Sequence, residues 1–194
     1  MRLVVGITGA TGACHALRLL EVLAGHPEVE THLVVSEWAA ANLLSETRRS
    51  VADLSPLAAR IWSPADLAAP LASGSFLTDG MIIVPCSMRT LAAVAGGFCD
   101  NLITRAADVC LKEGRKLVLC PRETPLNALH LENLLKLARL GVRIVPPMPA
   151  YYTHPRTIDD LVAHHVMKVL DQFGFQSPDD RRWNGPDSTR SENL

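Results

Sequence analysis

The chain has no long basic run, no apolar stretch of bilayer-spanning length and no metal-ligand spacing. Each absence excludes a class of function. The largest basic clusters are the pairs Arg48-Arg49 and Arg181-Arg182, the net charge is -1 and the pI is near 6.6. Nucleic acid and anionic membranes are therefore not expected partners. No apolar run reaches the roughly 20 residues of a transmembrane helix. No Cys-x-x-Cys or His-x-x-x-His pair occurs, so no metal is expected. The five cysteines (Cys14, Cys86, Cys99, Cys110 and Cys120) are odd in number and lack paired spacing. That pattern predicts reduced thiols in a cytoplasmic protein. The chain enters its first strand directly, with no charged segment leading into a signal-type apolar run, which agrees with that location. Aromatic residues make up only 5%, and both tyrosines sit together at Tyr151-Tyr152. There is no internal repeat and no linker. A single domain over 1–175 is expected, followed by a polar tail over 176–194 rich in Pro, Asp and Arg.

What the chain does have is apolar patterning. Of its 194 residues 48% are hydrophobic, enough for a sizeable core. Short continuous apolar runs predict strands at Leu3–Val5, Thr31–Val35, Arg60–Trp62, Met81–Val84, Lys116–Cys120 and Val142–Val145. Pro85, Pro121 and Pro146 are expected to stop three of them. Helical spacing marks 13–23, 38–45, 87–95, 101–113, 129–140 and 157–173, with a short helix near Leu57. The composition of 69–75 predicts a loop. Strands alternating with helices, and strands apolar on both faces, predict a three-layer, doubly wound, Rossmann-like α/β fold with a mainly parallel sheet.

In such sheets ligands bind beyond the carboxyl ends of the strands. The first strand runs into Gly6-Ile7-Thr8-Gly9-Ala10-Thr11-Gly12 and then a helix. This arrangement can cradle a phosphate, with Thr8 and Thr11 as hydroxyl donors, or be a tight turn that needs glycine for close packing. The spacing is GxxGxxG, not the GxGxxG of dinucleotide-binding folds. The second strand ends at Ser36. The fourth leads into Cys86-Ser87-Met88-Arg89-Thr90. Ser36 and Ser87 also suit helix N-caps. The fifth exits into Arg122-Glu123 between two prolines. Those charges are either ordinary loop charges or, in a stiffened loop, a cation and a general acid or base. Arg105, Asp108 and Lys112 share one helix face, as a salt-bridge ladder or as a cationic surface for phosphate. Lys168 lies on a helix otherwise sparse in charge. Cys86 follows a strand without a histidine near it in sequence, so a buried thiol is favoured over a nucleophile. His164 and His165 point apart on a helix and do not form a metal site.

Six segments together resemble a known family. They are Gly6-Ile-Thr-Gly-Ala-Thr-Gly-Ala13, Pro85-Cys-Ser-Met-Arg-Thr-Leu91, Arg105-Ala-Ala-Asp-Val109, Leu111-Lys-Glu113, Pro121-Arg-Glu-Thr-Pro-Leu126 and Pro146-Pro-Met-Pro-Ala-Tyr-Tyr152. They resemble the signatures of the UbiX-type flavin prenyltransferases, formerly described as aromatic acid decarboxylases. The resemblance runs from about residue 2 to Trp183. It implies a flavoprotein-type fold and an enzyme that binds reduced FMN and dimethylallyl phosphate. The enzyme would join the prenyl group to flavin N5 and C6 without a metal and release phosphate. The prenylated FMN would serve a UbiD-type decarboxylase. It also implies a homododecamer with sites at subunit contacts. Carried over by position, the FMN contacts are Gly9, Ala10, Thr11, Ser36, Ser87, Met88, Arg89, Thr90 and Arg122. The prenyl phosphate contacts are Tyr152 and Lys168. The catalytic set is Glu123, Lys112, Arg105 and Thr11.

Three positions depart from the family pattern. Thr11 replaces a common serine. Leu67 stands where some members carry a tryptophan against the prenyl group, a role Trp62 or a neighbour's Trp183 can take over. Lys168 replaces an arginine and loses its bidentate fork. Three other readings compete. An FMN-dependent cysteine decarboxylase would need a Pro-x-Met-Asn-type signature, absent here, and an active histidine, for which His15 and His32 are the candidates. A non-catalytic flavin carrier would not need Glu123 or Lys112. An NAD-dependent oxidoreductase fits the glycine spacing poorly, although Glu37 can mimic its ribose-binding carboxylate.

Overall fold

A computed structural model describes residues 1–175 and 182. The expected tail over 176–194, Trp183 included, otherwise lies outside the described residues. The strands are β1 (Arg2–Ile7), β2 (Glu30–Val35), β3 (Arg60–Trp62), β4 (Gly80–Cys86), β5 (Lys116–Pro121) and β6 (Arg143–Ile144). The helices are α1 (Ala13–Ala24), α2 (Glu37–Thr47), α3 (Met88–Gly96), α4 (Leu102–Lys112), α5 (Ala128–Arg139) and α6 (Ile158–Asp171). All strand pairs are parallel, in the order β3-β2-β1-β4-β5-β6. The order reverses between β1 and β4, which opens a crevice there at the carboxyl edge.

The period-two geometry of a strand divides its side chains between two cores. Leu3, Val5, Ile7, Ile82 and Val84 face α1, α2 and α6. Val4, Met81, Ile83, Leu117 and Leu119 face α3, α4 and α5. The expected three-layer α/β fold is the one observed. Every position of β4 is buried, as a central strand covered on both faces requires.

Two local expectations need correction. β4 does not stop at Pro85 but runs through it to Cys86, whereas β5 does end at Pro121, its last residue. A proline has no N–H, but its carbonyl still accepts, and Pro85 O takes the Thr8 N–H at 3.2 Å. The 69–75 segment is not all loop. It contains a 3-10 turn, Pro70–Ala72, which buries Leu71 against α4. No helix among the described residues is long and apolar enough to cross a membrane.

Candidate active site at the crevice between the first and fourth strands

A cleft of about 370 Å³ opens at the β1–β4 crossover. Gly9, Ser36, Ser87, Arg89 and Thr90 line it, with Trp38, Asn101 and Thr104 among the others. Three helices begin here, and each has its own cap. Ser36 Oγ accepts from Ala39 N, Ser87 Oγ accepts from Thr90 N, and Asn101 closes a reciprocal capping box with Thr104. The positive ends of α2, α3 and α4 therefore point at one space, which suits an anionic group.

The glycine turn works differently from the phosphate-cradle reading. The N–H groups of Gly12 and Ala13, at the start of α1, donate to the Glu46 carboxylate at 2.9 and 2.8 Å. A carboxylate from α2 already meets those donors. Gly12 is needed because its φ is 107°, a left-handed conformation costly for other residues. Gly9 is needed for space: a Cβ there would lie 2.6 Å from Trp38 Cβ. Thr8 is not a ligand donor either. It is buried, and its hydroxyl donates to Pro85 O at 2.9 Å while accepting from Ser87 N at 2.7 Å. This double bond stitches the exit of β1 to that of β4. Arg122 N extends the stitching to β5 by donating to Cys86 O at 3.2 Å.

Five of the nine expected FMN positions line the cleft itself. Thr11 and Arg122 are exposed on the neighbouring strand exits of the same edge, with Ala10 half-buried between Gly9 and Thr11. Met88 is buried in the core beneath α3, leaving its main chain for any contact at the edge. Glu123 is exposed, and its Oε1 accepts from Thr124 N at 3.0 Å.

The cationic set is not gathered at this cleft within one chain. Arg105 donates to Ala72 O at 3.0 Å and pairs with Asp108 at 2.8 Å. Lys112 pairs with Glu113 and lies about 12 Å along the α4 axis from Thr104. Tyr152 and Lys168 sit on the α6 side. Tyr152 Oη lies 2.9 Å from His164 Nε2, and Lys168 Nζ lies 3.3 Å from Asp171.

Cys86 is fully buried, and burial pushes its thiol up to about 12, so it is not a nucleophile near neutral pH. Trp62 cannot replace the missing tryptophan at position 67. It is buried in β3 and donates its indole N–H to His32 Nδ1 at 3.0 Å. His32 is held between Trp62 and Glu30, which removes it as an active histidine. His15 lies behind the glycine turn, 4.7 Å from the His165 ring. Burial, with His165 beside it, lowers His15 to about 4.

Sequence reasoning missed Trp38, Asn101, Glu46 and His164. Asn101 carried a readable signal, a capping residue three positions before Thr104. Glu46 carried none, because its partners lie 33 and 34 residues away.

A family model described as Flavoprotein matches residues 1–170. The flavin prenyltransferase LpdB of Lactiplantibacillus plantarum is 58% identical over 184 residues, covering 95% of this chain and 98% of that protein. The chain belongs to the flavin prenyltransferase family. Two crystal structures place the family's fold on it. One is a dodecameric FMN-dependent UbiX-like decarboxylase from Escherichia coli O157:H7, with TM-score 0.94, 58% identity and coverage of 95% of this chain and 100% of that one. The other is AnUbiX (PadA1) in complex with FMN and dimethylallyl pyrophosphate. It has TM-score 0.92 and 49% identity, covering 96% of this chain and 98% of that one.

Proposed function

We propose that this protein is a flavin prenyltransferase. It transfers the dimethylallyl group of dimethylallyl phosphate to N5 and C6 of reduced FMN, and the prenylated FMN passes to a UbiD-type decarboxylase. One observation carries this reading: three capped helix N-termini meet at the β1–β4 crevice of a chain 58% identical to a flavin prenyltransferase.

Reduced flavin supplies the electron-rich ring that is alkylated. The chain supplies the rest. Gly9, Ser36, Ser87, Arg89 and Thr90 hold the FMN phosphate and ribityl end, with Ala10, Thr11, Met88 and Arg122 along the edge. Tyr152 and Lys168 hold the prenyl phosphate. Arg105 and Lys112 offset the negative charge that grows as the allylic C–O bond breaks. Glu123 gives a proton to the departing phosphate and later takes one from flavin. Thr11 relays protons on the same edge.

Arg105 and Lys112 reach a site across a subunit contact, which accounts for their distance from the cleft in one chain. A homododecamer is the assembly we infer. Its contacts would cover α5, where Leu129, Leu131 and Leu135 are exposed and Leu137 alone is buried. The free thiols suit a cytoplasmic location.

The decisive experiment incubates the protein anaerobically with FMN, dithionite and dimethylallyl phosphate, then weighs the released flavin. A gain of one prenyl unit supports the proposal. Recovery of unmodified FMN alone refutes it.

A further inference from the structure

We propose that His164 is a positioning residue for the substrate phosphate, acting through the Tyr152 hydroxyl. This rests on the reading of Tyr152 as a prenyl-phosphate contact. His164 lies in α6 and is 7% exposed, whereas Tyr152 is 45% exposed in the loop between β6 and α6. Tyr152 Oη is 2.9 Å from His164 Nε2, and the two rings meet edge to face with centroids 5.7 Å apart.

The neighbouring residue strengthens the case. His165, 3% exposed, donates from Nε2 to Val145 O at 3.0 Å. Two consecutive buried histidines thus grip the same loop, one at its start through the Val145 carbonyl and one at its middle through the Tyr152 hydroxyl. Lys168 follows His164 by four residues, so the two share a face of α6, one turn apart. Its side chain is half-exposed. The His164 contact therefore holds Tyr152 against the same helix that carries the lysine assigned to the same phosphate.

A tyrosine hydroxyl has one hydrogen to give and lone pairs to receive. To donate to a phosphate oxygen in a fixed direction, it does best when another donor occupies a lone pair. The Nε2–H form of His164 is such a donor, and it is anchored in the core, unlike the exposed loop. Without it the hydroxyl loses its core-anchored donor, and fixing its direction falls more heavily on substrate binding. The cost falls on prenyl phosphate binding and not on FMN, whose cleft lies at the β1–β4 crossover.

The test compares wild type, Tyr152→Phe, His164→Phe and the double variant by KM for dimethylallyl phosphate, kcat and FMN affinity. Tyr152→Phe should raise KM about tenfold, the effect of one hydrogen bond to a charged group, and His164→Phe should raise it by about three- to tenfold, because it acts through that hydroxyl. FMN affinity should be unchanged, and the double variant should be no worse than the worse single. His164→Gln, which places an N–H near the same point, should restore KM to within about threefold of wild type. Should the phenylalanine variant not fold, His164→Met, flexible and without a donor, takes its place in the same comparison. A raised KM in Tyr152→Phe with a normal KM in the His164 variant overturns the proposal alone. So does a double variant in which the two effects multiply. A normal KM in Tyr152→Phe overturns the assignment of Tyr152 and this proposal with it.

Discussion

Thr8→Val probes the joint on which the cleft depends. The side chain is 2% exposed, and valine reproduces its shape while replacing the hydroxyl with a methyl. Two bonds disappear: the one from Thr8 Oγ1 to Pro85 O at 2.9 Å and the one from Ser87 N to Thr8 Oγ1 at 2.7 Å. Pro85 O keeps the main-chain donor at position 8, but Ser87 N loses its acceptor. A donor left unsatisfied costs about 1–3 kcal/mol, and the lost O–H···O bond about 1 kcal/mol more. The added buried methyl returns about 1 kcal/mol. The net expectation is a loss of about 2 kcal/mol. Because Ser87 also caps α3, a displaced Ser87 misdirects the α3 N-terminus and weakens FMN binding about three- to tenfold. Urea unfolding at one fixed protein concentration measures the first effect, and quenching of flavin fluorescence measures the second. Thr8→Ser is the control: it keeps both bonds and should keep FMN affinity. A valine variant as stable as wild type with undiminished FMN affinity would refute the claim that this hydroxyl joins the two strand exits.

Three further outcomes are expected. Gly9→Ala puts a Cβ 2.6 Å from Trp38 Cβ. It should destabilise the turn by about 1–3 kcal/mol, and Trp38→Gly in the same chain should recover part of that loss in urea titrations. Glu123→Gln should bind FMN normally and lose nearly all anaerobic prenylation; full activity removes Glu123 from the mechanism. His15, lowered to about 4 by burial and by His165, is neutral in the folded protein where the unfolded chain already binds a proton. Its contribution to stability is therefore complete above the ordinary histidine pKa and lost as pH falls from about 6.5 to about 4. His15→Phe should lose less stability than wild type between about pH 7 and pH 5 in the same titration, and an identical slope counts against the assignment.

The fold was largely legible because the signals that define it are local. Continuous apolar runs located the strands, and capping residues such as Ser36, Ser87 and Thr157 marked helix starts. The errors came where a residue type has two uses. Proline removes a donor but keeps an acceptor, so β4 runs on through Pro85. A threonine in a glycine turn reads as a ligand donor, yet the Thr8 hydroxyl bonds to main-chain atoms 77 and 79 residues away. A tryptophan reads as a spare aromatic wall, yet Trp62 is fixed by His32 across 30 residues.

By itself, the sequence determined the alternation of buried strands and capped helices, and so the layered sheet with polar groups at its carboxyl ends. Those properties follow from continuous apolar runs and from spacings of three and four residues. Only the tertiary structure decided which helix ends point at the cleft and which donors are already engaged. The strand order β3-β2-β1-β4-β5-β6 brings the exits of β1 and β4 together. It also lets Glu46 occupy the start of α1, while α2, α3 and α4 are left facing the site. Pairings across crossovers leave no periodic trace in a sequence, because they depend on the path of the chain through space.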